Sequence, residues 1–235
     1  VDQAALRARL GPDVACVVVQ YPNFLGCIED HTAVFESAHA AGALAVASTY
    51  PIALGVLKTP GSMGADIVVG EGQSLGIPLS FGGPYLGFMA TRKRHVRKMP
   101  GRIVGQTHDA QGRRGFVLTL QAREQHIRRE KATSNICTNQ SLCGLAATVY
   151  MAIMGKEGLR DVAERCAENA GYTCRVLTDV PGVTRTFAAN FFNEFCITMP
   201  GNADAVIGAL MKRGFAAGFP LGRYYPSMEN AALIA

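Results

Sequence analysis

The sequence predicts an α/β fold, with a mainly parallel sheet wrapped by helices and a smaller α+β unit after it. Three observations indicate this fold. Short apolar runs alternate with helical patterns over residues 14–69, long helical patterns follow in the middle, and a β-β-α-β series ends the chain. With 235 residues, 49% hydrophobic and 17% charged, the chain can bury a sizeable core and is not disordered.

The first elements follow one another as β-α-β-α-β. Residues 14–20 are rich in valine and lie between Gly-Pro and Tyr-Pro pairs, which predicts a strand buried on both faces. The patterns then predict a helix at 30–41, a strand at 43–48, a short helix at 52–58, a turn at 61–64 and a strand at 66–69. Because parallel strands need crossover connections, this alternation favours a parallel sheet.

A long loop rich in glycine and proline occupies residues 70–87. Loops of this size in compact domains are usually functional, and paired glycines let a backbone approach a ligand or another chain closely. Beyond it we expect a strand at 88–91, an irregular polar segment at 102–115 and a strand at 115–120.

The second half predicts long helices and then a small domain. Helical patterns run from 122 to 177, and the later elements are strands at 182–187 and 195–199, a helix at 203–213 capped by Asn202, and a strand at 231–235. We expect residues 1–120 to be the C-terminal part of a large α/β domain, 121–154 to be bridging helices, and 155–235 to be a small α+β domain. The chain lacks a starting methionine and ends within a strand pattern, so we expect truncation at both ends.

Several classes of protein are excluded by composition. No apolar run approaches the ~18 residues of a membrane span, and residues 1–7 do not resemble a secretory signal. The seven cysteines form no Cys-x-x-Cys pair, which predicts reduced thiols. Histidines are dispersed, so no metal site is predicted. We therefore expect a cytoplasmic protein without membrane association.

Positive charge is concentrated in the middle of the chain. The formal net charge is +5, and arginine and lysine cluster at 92–98 and 113–131. These segments lack interleaved aromatic residues and any recognised nucleic-acid-binding module. A solvated face or an acidic protein partner is therefore favoured over nucleic acid.

Lysine is the informative residue for cofactor chemistry, because the chain has only six. An aldehyde cofactor needs a desolvated lysine amine, and none of the six ends a buried strand. Gln73 does follow the third strand, but an amide cannot form an imine. The residues alone therefore predict no catalytic constellation in this chain.

Three strings resemble a known family. Residues 80–84 (SFGGP), 99–109 (MPGRIVGQTHD) and 121–138 (QAREQHIRREKATSNICT) closely resemble the P-protein of the glycine cleavage system, and the resemblance covers essentially the whole chain. It implies a pyridoxal-phosphate-dependent transferase fold of the aspartate-aminotransferase type, with a large parallel-sheet domain and a small C-terminal α+β domain.

The resemblance also implies that this chain lacks the cofactor residues. Gln73, preceded by Gly72, stands at the place of the family's lysine, and Tyr50-Pro51 at the place of the aspartate that pairs the pyridine nitrogen. The chain therefore looks like the alpha chain, or subunit 1, of a split P-protein, and the resemblance implies that pyridoxal phosphate is bound by its homologous lysine-bearing partner. No catalytic residue is expected here.

The implied activity is glycine decarboxylation, with transfer of the aminomethyl group to the lipoyl arm of the acidic H-protein. The resemblance implies that a glycine loop contacts the partner's cofactor and that a basic segment lines an interface; both sets also allow plainer roles, as a tight turn, intrachain salt bridges or a helix cap. The loop residues are Gly82, Gly83 and Pro84, and the interface residues are Arg128, Arg129, Lys131, Thr133, Ser134 and Asn135.

Three alternatives stay open at this point. The chain could be a fragment of the N-terminal half of a fused P-protein, an independently active pyridoxal enzyme that uses an unexpected lysine, or a basic binding protein. Borohydride reduction with excess cofactor would separate the cofactor-free subunit from the independently active enzyme, because only the active enzyme would retain a covalent adduct.

Overall fold

The computed structural model describes residues 2–132 and 140–235 and contains two four-stranded sheets and a hairpin. In the first sheet the strand order is β1-β2-β3-β4. The first three strands are parallel, as predicted, and β4 pairs antiparallel with β3. Their bounds are β1 Cys16–Tyr21, β2 Leu44–Thr49, β3 Ile67–Glu71 and β4 Gly87–Thr91.

Short helices precede and connect these strands. They are α1 Gln3–Ala8, α2 Thr32–Ala40, a 3₁₀ turn at Ile52–Gly55 and α3 Pro60–Met63. The segment predicted as a turn at 61–64 is thus a short helix, because Thr59 caps it, proline occupies its first position and Gly64 ends it in the left-handed region at φ +110°.

The core of this sheet lies on one face only. Val17, Val19 and Tyr21 of β1 are buried against α2, whose Val34 and Phe35 are fully covered. Alternate residues of β1 are exposed, and Val18 is 61% exposed. The prediction that β1 is buried on both faces is therefore wrong for this chain, because within the described residues helices cover only one side.

An antiparallel hairpin occupies residues 103–119, where the sequence predicts an irregular segment at 102–115 and a strand at 115–120. Strands β5 (Ile103–His108) and β6 (Arg114–Thr119) pair with each other and with no other strand of the described chain. The Asp109 carboxylate closes the turn by accepting the amides of Gln111 and Arg113, both at 2.9 Å. Glycines in the segment break its hydrophobic alternation, which explains why its first strand was not recognised.

A buried arginine holds the base of this hairpin. The Arg123 guanidinium donates to the carbonyl of Met99, to that of Gly101 at 2.9 Å and to that of Leu120 at 3.2 Å. Three short helical turns follow, at Gln121–Arg123, α4 Gln125–Arg128 and Arg129–Lys131. This region is therefore less continuously helical than predicted.

The longest element is α5, Ser141–Thr178, which bends at Gly155, where φ is +60°. It passes the predicted boundary at 154/155 and packs on the first sheet's 3₁₀ turn through Ile52, Ala53 and Ala163. Its C-terminal half covers the second sheet through Ala170 and Cys174.

The second sheet has the order β7-β8-β10-β9. Its strands are β7 Thr184–Arg185, β8 Phe195–Thr198, β9 Phe219–Pro220 and β10 Ala231–Ile234. Helix α6 spans Ala203–Met211, and the Asn202 side chain accepts the Ala205 amide at 3.1 Å, which confirms the predicted cap. The sheet has one strand more than predicted. The additional strand, β9, has no sequence signal, because it is two residues long and contains proline.

None of the described helices is long and apolar enough to cross a membrane.

Candidate functional site

A cleft of about 710 Å³ opens at the carboxyl ends of the three parallel strands. In open α/β sheets this edge is where ligands bind. The loop before β8 closes one side, because the Ile28 amide donates to the Asn190 carbonyl at 2.8 Å. The lining residues are Gln20, Pro22, Ser48, Thr49, Tyr50, Glu71, Gln73, Leu79, Asn193, Glu194 and Ala235.

Gln73 lies in this cleft, two residues beyond the end of β3. Its side-chain amide donates to the Ile77 carbonyl, and its backbone amide donates to the Glu71 carboxylate at 2.8 Å. The same carboxylate accepts the Leu86 amide at 2.8 Å. Glu71 thus ties the two ends of the 72–86 loop together, and Gln73 is held by the loop's own backbone.

Two other ionisable groups in the cleft are perturbed by burial. Burial raises the pKa of the Tyr50 phenol and that of the Glu194 carboxyl above their ordinary values. Tyr50 directly follows β2 and packs on Phe192, with 6.2 Å between the ring centroids. An aromatic ring, that of Tyr50, therefore occupies the place where the family resemblance implies a carboxylate.

The lining residues do not fit covalent attachment of pyridoxal phosphate. Among the described residues that line the cleft there is no lysine or arginine, and the charged side chains are Glu71 and Glu194. An aldehyde needs an amine, and a phosphate dianion is repelled by carboxylates in a partly buried site. The cleft of this chain therefore lacks both groups that would hold the cofactor.

The glycine loop forms a strained, exposed tip. The Gly82 amide donates to the Leu79 carbonyl at 3.0 Å, and the two residues between them, Ser80 and Phe81, have φ of +47° and +53°. Left-handed backbone at such residues costs roughly 1–2 kcal/mol each. The Phe81 side chain is fully exposed. Strain of this kind marks binding and active-site loops more often than plain connections.

Gly82 and Gly83 continue this left-handed stretch, with φ of +103° and +149°. Within residues 2–132 and 140–235, a Cβ at Gly82 would meet nothing within 4 Å, and one at Gly83 would meet only the Tyr85 amide nitrogen, 3.9 Å away. Among the residues that the structure describes, the glycines are therefore required by backbone conformation and not by crowding. Pro84 follows them and is exposed.

The predicted interface residues Arg128, Arg129 and Lys131 lie on α4 and the 3₁₀ turn after it. All three are exposed, and no ion pair to a described residue satisfies any of them. The other three residues predicted for the interface, Thr133, Ser134 and Asn135, lie outside the described residues.

Two exposed apolar surfaces accompany the loop. On the hairpin, Val104 and Leu118 are directly paired, and Phe116 lies on the same face. On the first half of α5, apolar side chains recur at helical spacing along one exposed stripe: Leu142, Leu145, Val149 and Ile153. Groups of neighbouring exposed apolar side chains are characteristic of interaction surfaces.

Sequence reasoning did not find the carboxylates of the cleft. Glu71 ends an apolar strand without a motif around it, and Glu194 reaches the cleft only through tertiary packing far along the chain. Among residues 2–132 and 140–235, no group of three or more histidine, cysteine, aspartate or glutamate side chains is arranged to hold a metal ion.

Comparisons with known proteins agree on one family. The family model of the glycine cleavage system P-protein matches residues 1–233. The probable glycine dehydrogenase (decarboxylating) subunit 1 of Geotalea daltonii is 55% identical over 233 residues, covering 99% of this chain and 53% of that protein. A crystal structure of glycine decarboxylase (P-protein) in inhibitor-bound form has a TM-score of 0.88 at 54% identity, covering 96% of this chain and 51% of that one.

A more distant structure shares the fold alone. Sphingosine-1-phosphate lyase of Burkholderia pseudomallei has a TM-score of 0.66 at 15% identity, covering 100% of this chain and 50% of that one. The predicted fold class, an α/β pyridoxal-phosphate-dependent transferase fold, is confirmed by these neighbours. The chain spans about half the length of the relatives it matches, and it belongs to the glycine cleavage system P-protein family.

Proposed function

We propose that this chain is part of the cofactor-free subunit of a glycine dehydrogenase (decarboxylating). In this proposal the assembled enzyme decarboxylates glycine and transfers the aminomethyl group to the lipoyl arm of the H-protein. Pyridoxal phosphate is held by a homologous lysine-bearing subunit and supplies the electron sink for decarboxylation.

The observation that carries the proposal is Gln73 in an acidic cleft. The side-chain amide at the end of β3 is already engaged with the Ile77 carbonyl, and the charged groups beside it are carboxylates. A subunit that bound the cofactor itself would need an amine and cationic or amide donors at this edge. Both the residue type at position 73 and the negative charge of the cleft therefore favour a subunit that assists its partner's site and does not bind the cofactor itself.

The exposed surfaces support contact with the partner. The strained loop at 79–84, the hairpin face with Phe116 and the apolar stripe of α5 all leave apolar side chains in solvent. A second chain of the same fold would bury these side chains, and its approach would bring Gly82, Gly83 and Pro84 close to the partner's cofactor. The loop would then shape the partner's site without supplying chemistry.

The exposed cations that have no ion pair to a described residue would give the acidic carrier a route of approach. Arg128, Arg129 and Lys131 would attract the acidic H-protein and orient it during encounter. Such steering acts mainly on the association rate and weakens as salt is added, because exposed charges are screened over about 10 Å at 0.1 M ionic strength.

The name of the relative from Geotalea daltonii, subunit 1, favours a separate subunit over a fragment of a fused chain. A general nucleic-acid-binding role gains no support from the comparisons.

The proposal is tested by reconstitution. We expect no release of labelled CO₂ from glycine by the purified protein alone, with cofactor and H-protein in excess, and full release once the lysine-bearing subunit is added. Turnover by the homogeneous protein alone would overturn the proposal, and so would full turnover by the partner without it.

A further inference from the structure

A second cleft lies at the opposite edge of the first sheet. Asp66 immediately precedes β3, whose five residues separate the two edges by roughly 16 Å at ~3.3 Å per residue. This cleft measures about 530 Å³. It is lined by His39, Gly42, Ala43, Leu44, Gly64, Asp66, Arg92 and Arg94.

The floor of this cleft is a fully engaged carboxylate. Asp66 Oδ2 accepts His39 Nε2 at 2.8 Å and the Ala45 amide at 3.0 Å, and its other oxygen accepts Arg94. Its side chain is wholly buried. Burial raises the pKa of Asp66, but these hydrogen bonds outweigh burial and leave the pKa below its ordinary value. The negative charge is therefore neutralised within the fold.

The cations around it exceed the charge of Asp66. Arg92 Nε lies 3.4 Å from the carboxylate and also donates to the Ala65 carbonyl at 3.1 Å. Arg94 Nε donates to His95 Nε2 at 2.9 Å. The Arg92 and Arg94 side chains remain 47% and 60% exposed. Two guanidinium groups face one carboxylate, so at least one positive charge is uncompensated.

Donors also remain available at the mouth of the cleft. Within residues 2–132 and 140–235, the terminal nitrogens of Arg92 have no hydrogen-bond acceptor, and Arg94 uses one of its two terminal nitrogens. The lining also includes Gly42 and Gly64, which leave backbone without side chains. Guanidinium N–H pairs match the oxygens of phosphate in a bidentate geometry.

We propose that this cleft binds the phosphate group of a small molecule. The phosphate would accept the free N–H groups of Arg92 and Arg94, while Asp66 holds both guanidinium groups in place from below. The site is separated from Gln73 by the length of β3, so it does not serve the cofactor of the proposed decarboxylase. It stands whether or not that proposed function holds.

The competing explanation is a purely structural ion-pair cluster. In that case Arg92 and Arg94 only tie β4 and the 3₁₀ segment Lys93–Lys98 to Asp66. Substituting Arg92 would then lower stability, but phosphate would have no specific effect on the wild-type protein.

The test is calorimetric titration of the intact protein with inorganic phosphate and, separately, with glycerol 3-phosphate, at constant ionic strength set by chloride. The variant is Arg92→Gln, and the matched control is Arg97→Gln, an exposed arginine of the same basic segment that does not line the cleft. We expect saturable binding that Arg92→Gln weakens at least tenfold and Arg97→Gln changes less than twofold.

Tighter binding of glycerol 3-phosphate than of phosphate would indicate an ester ligand. Equal or weaker binding of the ester would show that the site recognises the phosphate group alone. Both outcomes support the site. If Arg92→Gln does not fold, the His39 imidazole resonances of the wild-type protein decide, because they must shift during the titration. Absence of saturable binding, equal weakening by both variants, or unchanged His39 resonances would overturn the proposal.

Discussion

The substitution Gly83→Val separates a functional glycine loop from a simple turn. Gly83 has φ of +149°, a region that valine does not adopt, and among the described residues a Cβ there would meet only the Tyr85 amide nitrogen, at 3.9 Å. Gly201 is a matched control, because its φ is +135° and a Cβ there would meet no described residue within 4 Å. Gly201 lies before α6, in the second sheet's domain.

The two substitutions should cost similar stability. Forcing a side chain into such a backbone region costs about 1–3 kcal/mol. A loss of ~2 kcal/mol lowers the Tm of a protein of this size by about 4–8 °C. No clash with a described residue adds to this cost at either position, so the free energies of unfolding of the two variants should agree to within about 1 kcal/mol.

Their effects on activity should differ. If the loop contacts the partner's cofactor, a displacement of about 1 Å is expected to lower glycine-dependent activity by 10- to 100-fold. We expect this loss for Gly83→Val and less than a twofold change for Gly201→Val, measured as CO₂ release by the assembled enzyme. Urea unfolding of both variants supplies the stability comparison. Normal activity and cofactor affinity in an assembled Gly83→Val enzyme would show that the loop is only a turn.

Three further predictions concern stability and reactivity. Because the pKa of Asp66 is lower in the folded than in the unfolded state, the Asp66 carboxylate contributes fully to stability above about pH 4, and this contribution is lost as the pH falls further. Urea unfolding below pH 4 should therefore show a steeper loss of stability with falling pH for wild type than for Asp66→Asn. Parallel losses in the two proteins would contradict the assignment. Asn202→Ala should cost about 1 kcal/mol in urea unfolding and Asn202→Asp much less, since only alanine removes the cap; equal costs would exclude a capping role. Iodoacetamide at pH 8 should modify the exposed Cys16 of the native protein and spare Cys196, because burial raises the pKa of the Cys196 thiol to about 12. Equal labelling of the two cysteines, measured by mass spectrometry, would refute this prediction.

The parallel sheet was predictable because its signals are local. Valine-rich β1 and the runs of β2 and β3 are each bounded by turn residues and separated by helical patterns. The cap at Asn202 was equally predictable, since an N-cap depends on residues within one helical turn.

The elements that the sequence predicts incorrectly depend on contacts between residues far apart in the chain. The first strand of the hairpin was missed because Gly105 interrupts its alternation, and its stability depends on the Asp109 turn and on the buried Arg123. Burial of β1 on both faces was inferred from composition, but burial depends on what covers the sheet.

The cleft could be only partly located from sequence. Gln73 and Tyr50 follow strands that end at the same edge, so their proximity follows from a parallel sheet. Glu194 reaches that edge because its loop packs on the loop after β1, where a Cβ on Gly26 would lie 2.1 Å from the Glu194 carbonyl oxygen. No pattern in one sequence encodes a contact of that range.

The central claim is that this chain shapes a cofactor site whose lysine belongs to its partner. The most direct measurement is borohydride reduction of the assembled enzyme with pyridoxal phosphate, followed by mass spectrometric mapping of both subunits. The account predicts one pyridoxyl group on a lysine of the partner and none on the six lysines of this chain. A stoichiometric pyridoxyl group on any lysine of this chain would contradict it.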